Sequence, residues 1–130
     1  MGYVTQYVEK YGDYLYVLFR ALVGLMFFLH GWDKLIVKKM ALGTLFGIAG
    51  LVEIVVGIAV VVGFFVRLAA VLGAIQMVVA YFIVHVGNGL SPLANGGELA
   101  VLFFSAFLVL IVYGARKWGL EMSSMKKEMF

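Results

Sequence analysis

The chain has 130 residues, of which 65% are hydrophobic and 13% charged, with a net charge of +3. A mean hydropathy of +1.08 is more apolar character than a soluble domain this small can hide, which leaves one polytopic membrane domain as the fitting class. The absence of cysteine excludes disulfides, thiolate nucleophiles, Cys-ligated zinc, iron–sulfur centres and Cys-x-x-Cys redox chemistry.

Residues 1–13 carry Tyr3, Tyr7 and Tyr11 at helical spacing, with Val4 and Val8 beside them. This pattern predicts a short amphipathic helix at the membrane interface, where a tyrosine ring is apolar on one side and wet at its tip. The first span is expected over 14–37, with Trp32, Asp33, Lys34, Lys38 and Lys39 marking its far interface. The second runs over 42–66 and the third over 68–86, joined by the tight connection Gly63-Phe-Phe-Val-Arg67. A loop rich in Gly, Asn, Ser and Pro follows, and Asn95 three residues before Glu98 resembles a capping box for a fourth span over 98–113. The tail, 115–130, is basic and amphipathic and carries Trp118 as an interface anchor. The expected fold is an all-α integral membrane protein: a four-transmembrane-helix bundle with an N-terminal interfacial helix.

Four spans put both termini and the second-to-third loop on one side. That side holds Lys10, Arg67, Arg116, Lys117, Lys126 and Lys127, against Lys34, Lys38 and Lys39 on the other. The positive-inside rule then places both termini in the cytoplasm of a cell-membrane protein. The N-terminus is too polar for a signal peptide and lacks a small-residue cleavage site. Basic residues interleaved with aromatics are missing, so nucleic acid is not an expected partner.

The informative residues are the polar ones inside apolar stretches. A carboxylate at the depth of Glu53 costs a few kcal/mol and needs a partner or a task. Arg20, Gly24, Phe27, Gly31 and Lys34 form one stripe of the first helix. Glu53 shares an arc with Gly43, Gly50 and Gly57, and Gln76 shares a face with Ala69, Gly73, Ala80 and Gly87. Small residues let helix backbones approach, so these faces are expected to point inward. Glu53 and Gln76 lie near the middles of their spans. Arg20 lies roughly 8 Å from the middle of its own, within reach of an extended guanidinium, and an Arg20–Glu53 pair is the expected core contact. His85 falls about 180° around its helix from Gln76, so it faces away unless the helix unwinds there. His30, with Asp33 and Lys34 within a turn, is the better functional histidine. Glu98 at a helix N-terminus is explained by capping and the helix dipole. Ser105 is expected to bond back to its own helix. No metal site is expected, and no repeat relates the two halves.

Arg20-Ala-Leu-Val-Gly24, His30-Gly31-x-x-Lys34 and Glu53-x-x-x-Gly57 appear in that order. Gly63-Phe-Phe-Val-Arg67-Leu-Ala-Ala70, His85, Asn95-Gly-Gly-Glu98, Gly114-x-Arg116 and Leu120-Glu121 follow. In this set the chain resembles the DoxX family of four-helix membrane proteins, roughly from Arg20 to Glu121. The resemblance implies membrane-associated redox work, since the family includes relatives of the membrane subunit of thiosulfate:quinone oxidoreductase and members linked to oxidative-stress metabolism.

The leading expectation is therefore an integral membrane subunit of a quinone-linked oxidoreductase system that is not catalytic alone. Arg20, His30, Lys34, Glu53, Gln76, His85 and Glu98 are the candidate ligand residues. No intrinsic cofactor is expected; a quinone is the candidate ligand, with membrane or peripheral redox subunits and the lipid bilayer as partners. Glycine faces unused inside the bundle would suit a homodimer. Two other readings stay open: a small proton-coupled transporter using Glu53, and a structural or assembly subunit of a membrane complex.

Overall fold

The computed structural model describes residues 2–116, and these are helical with no strand among them. Helix α1, Tyr3–Trp32, runs on into a π-helical turn, Asp33–Val37. Helix α2 is Leu45–Val62 and α3 is Val66–Ala80, the latter continued by a π-helical turn, Tyr81–His85, and a 3-10 turn, Val86–Asn88. A short α4, Pro92–Asn95, precedes α5, Glu98–Tyr113.

Three stretches are long and apolar enough to cross a membrane: Tyr3–Val37, Leu45–Val62 and Val66–Asn88. Helix α5 is equally apolar in kind, but its 16 residues span only about 24 Å of a hydrocarbon core roughly 30 Å thick. The outward faces carry Leu22, Val55, Ile58, Leu68, Ile75 and Val112, all exposed. Apolar surface of that extent needs lipid around it.

Residues 3–13 do not form a separate helix. From Tyr3 the chain is helical without interruption into the first span, because no proline breaks it and the one glycine, Gly12, costs too little to stop the winding. The continuous helix of 35 residues is about 52 Å long, so one end projects well beyond a bilayer. The basic tail beyond Arg116, with Trp118, lies outside the described residues.

Local chemistry sets the other ends. Thr44 caps α2, its Oγ1 accepting from Gly47 N at 3.1 Å. Gly63, at φ 77°, ends α2 in the left-handed conformation, and Gly63 N and Phe64 N both return to Ala59 O.

The helices pair as α1 with α2 and α3 with α5, and α2 against α3 joins the pairs. In the first pair the backbones touch: a Cβ on Gly31 would lie 2.5 Å from Gly50 O, and one on Gly57 2.7 Å from Gly24 O. In the second, Gly73 admits the Phe107 ring, which a Cβ would meet at 2.6 Å. Phe27 joins the pairs, its ring 5.3 Å from Phe103 and 4.9 Å from Phe107. The glycines read as inward-facing are thus used within the chain, apart from Gly43, which lies before α2, and Gly87, in the 3-10 turn after α3; a Cβ on either would meet nothing within 4 Å.

Candidate functional site

The register of α1 against α2 decides which polar groups meet. Gly24 faces Gly57 and Gly31 faces Gly50, so Arg20 is level with the end of α2 and Lys34 lies beyond Gly31 toward its start. Helical side chains lean toward their own N-terminus. In an antiparallel pair, Lys34 therefore leans toward Glu53 while Glu53 leans toward Lys34. Lys34 Nζ donates to Glu53 Oε1 at 2.5 Å, and Gln76 Nε2 donates to the same oxygen at 3.0 Å. Glu53 is 2% exposed.

Arg20 leans the other way, so the expected Arg20–Glu53 pair does not form. Its NH1 donates to Ala115 O at 2.5 Å and its NH2 reaches Val61 O at 3.4 Å. The guanidinium, on a residue 2% exposed, thus serves carbonyls at the end of α2 and just past α5. Tyr16 OH donates to Gly114 O at 2.6 Å, and Arg116 meets Asp13 at 3.1 Å, fastening the same end to α1. Arg20 lies toward the opposite end of the bundle and is not among the residues that line the cavity.

The Lys34–Glu53–Gln76 centre lies on a cavity of about 550 Å³ bounded by α1, α2, α3 and α5. Its walls are almost entirely apolar. Leu45 and Ile48 of α2, with Leu72, Ile75 and Val79 of α3, both line the cavity and are exposed. The cavity therefore opens onto the exposed apolar surface of the bundle, the surface that lipid covers. His30 lines it too, its ring edge-on to Phe103 at 5.6 Å.

His85 also lines the cavity, although the α-helical projection turns it away from Gln76. The π-helical turn Tyr81–His85 supplies the local unwinding that brings it round. Its Nδ1 lies 3.3 Å from Asn95 O. A second π-helical turn, Asp33–Val37, contains Lys34, so both departures from α geometry flank this site.

Asn95 does not cap α5. Its Oδ1 accepts from Gly97 N at 2.8 Å, and its Nδ2 donates to Tyr81 OH at 3.1 Å and Gly89 O at 2.9 Å. Tyr81 OH in turn donates to Leu90 O at 2.7 Å. This latch holds the 88–97 loop against α3 at the His85 end of the cavity. The Asn- and Gly-rich loop signalled a turn, but nothing in the sequence pointed to Tyr81 as its anchor. Glu98 opens α5 as expected and is exposed, with no part in the cavity lining. Ser105 Oγ donates to Val101 O at 3.0 Å, the back-bond to its own helix.

Among the described residues, Glu53 Oε2 and Gln76 Oε1 are buried and accept no hydrogen bond. The Gln76 amide orientation follows from chemistry, because turning it over would set its oxygen against the carboxylate. The polar end of the cavity thus combines an ion pair with two buried acceptors that lack donors.

Apolar helices, a buried ionic centre and a laterally open cavity define a multi-pass helical membrane protein with an internal polar site. The DoxX family profile matches residues 15–86, and the chain belongs to the DoxX family. An uncharacterized protein of Haemophilus influenzae is 36% identical over 131 residues, covering 92% of this chain and 98% of that protein. No solved structure matches. The family match contains His30, Lys34, Glu53, Gln76 and His85, whereas α5 lies beyond it.

Proposed function

We propose that the protein is the membrane subunit of a quinone-linked oxidoreductase system, related to sulfur or oxidative-stress metabolism, and that its cavity receives a quinone head group. One observation carries this reading: a buried ion pair adjoins an apolar cavity that opens sideways to the lipid. A lipid-soluble carrier needs such a path and a polar end for its head group. The family supports the redox direction, through relatives of the thiosulfate:quinone oxidoreductase membrane subunit.

A bound quinone supplies two-electron, two-proton redox chemistry. This chain's residues bind it and manage protons. Lys34 Nζ has N–H groups beyond the one given to Glu53, and Gln76 Nε2 has a second, so both can donate to a carbonyl oxygen. Glu53 Oε2 is the atom that can hold a proton exchanged with the head group. The apolar walls keep water from the exchange. Electrons come from partner subunits, because a cysteine-free chain has no thiol couple to pass them. In this reading α5 is a fourth spanning helix, and both termini lie in the cytoplasm.

Purification in native lipid followed by solvent extraction tests the proposal. Quinone should co-purify at close to one per chain and fall at least about tenfold in Lys34→Met, which removes the ammonium donor. Quinone-free wild-type protein that also fails to take up added quinone would overturn it.

A further inference from the structure

Resting on that reading of the cavity, we infer that the site is built for a head group that donates hydrogen bonds, the hydroxyl-bearing reduced form of a lipid-borne carrier, in preference to its carbonyl form. Glu53 Oε2 and Gln76 Oε1, on two adjacent helices, are buried acceptors without donors. Both residues line the cavity and are joined to each other through Gln76 Nε2 and Glu53 Oε1 at 3.0 Å. A buried acceptor left without a donor costs free energy that a ligand hydroxyl recovers.

A carbonyl cannot recover it. A quinone oxygen only accepts, so it satisfies spare N–H groups of Lys34 and Gln76 and leaves both side-chain oxygens as they were. A phenolic hydroxyl donates to an orphan oxygen and accepts from the ammonium at the same time. Bonds to a charged acceptor are the stronger kind, so the carboxylate weights the preference further. The exposed apolar rim of the cavity fixes the source: the ligand comes from the bilayer, its tail lying along residues such as Leu45, Ile48, Leu72, Ile75 and Val79.

The test uses the full chain in lipid nanodiscs and reads the thermal unfolding midpoint against three probes that share one tail: decylubiquinol, decylubiquinone and the dimethyl ether of decylubiquinol. The reductant that maintains the quinol has no protein thiol to act on. The quinol should give half-maximal stabilisation at a concentration at least about tenfold below the other two. Glu53→Gln replaces one orphan oxygen by an amide donor and should abolish the preference. Gln76→Leu, which leaves the Lys34–Glu53 pair in place, should reduce it several-fold if the first variant does not fold. Quinone or ether binding as tightly as the quinol overturns the inference and leaves the proposed function standing. Stabilisation by none of the three overturns both.

Discussion

Lys34 and Glu53 meet because they sit on antiparallel helices and lean toward each other, closing Nζ to Oε1 at 2.5 Å. The Lys34 side chain is 24% exposed and that of Glu53 only 3%, so the carboxylate bears most of the burial. Gln76 adds a second donor from α3 and ties the α1–α2 pair to the rest of the bundle.

Breaking this pair from one side should therefore be expensive. Lys34→Ala leaves a buried carboxylate without its ammonium and should cost about 3 kcal/mol, the low end for a buried pair because the lysine is partly exposed. Lys34→Met with Glu53→Gln together should cost less than the two single changes added. A double-mutant cycle of thermal stability in detergent checks this, and strict additivity would show that the contact has no energetic weight.

Arg20 and Glu53 should behave as strangers. Arg20→Ala strips donors from the carbonyls of Val61 and the buried Ala115 and should destabilise by about 2–4 kcal/mol. Combined with Glu53→Gln, the losses should add within about 0.5 kcal/mol, since the contacts seen for Arg20 and for Glu53 among the described residues lie at different ends of the bundle. Coupling beyond about 1 kcal/mol in the same assay would restore the direct pair that depth alone suggests.

The inward stripe of α1 was legible in the sequence: Arg20, Gly24, Phe27 and Gly31 are its buried residues. The partner of Glu53 was not. Counting residues along the axis gives depth but ignores the tilt of each Cβ–Cα bond, which sends Arg20 away from Glu53 and Lys34 toward it. For His85 the sequence left the facing open, to be decided by whether the helix unwinds there. A π-helical turn is a response to packing, and apolar periodicity assumes the α pitch throughout. The N-terminal segment shows a third limit: a tyrosine stripe at helical spacing looks the same on a separate helix as on an extension of the first span.

Close backbone approach should make α1–α2 glycines intolerant of even one methyl group. Gly31→Ala sets a Cβ 2.5 Å from Gly50 O, and Gly57→Ala sets one 2.7 Å from Gly24 O, so the helices must move apart. Each should cost about 1–3 kcal/mol, the range for overpacking. Gly43→Ala meets nothing within 4 Å and should be near neutral. Melting temperatures of the three variants in one detergent decide the matter, and a neutral Gly31→Ala would contradict the packing.

The proposed orientation makes the last prediction. Lys34 counted against cytoplasmic termini when the charges were read as loop residues. Its ammonium is instead drawn into the bundle by Glu53, so the outer loop presents Lys38 and Lys39 alone. Lys38 also pairs with Asp33 at 3.0 Å, which leaves Lys39 as the better reporter there. Because the chain has no cysteine, single Lys39→Cys and Lys127→Cys variants can be labelled without background. A membrane-impermeant maleimide should modify Lys39→Cys on intact cells and Lys127→Cys only after the membrane is opened. The reverse pattern would place both termini outside, and labelling of both on intact cells would mean that α5 does not cross the bilayer.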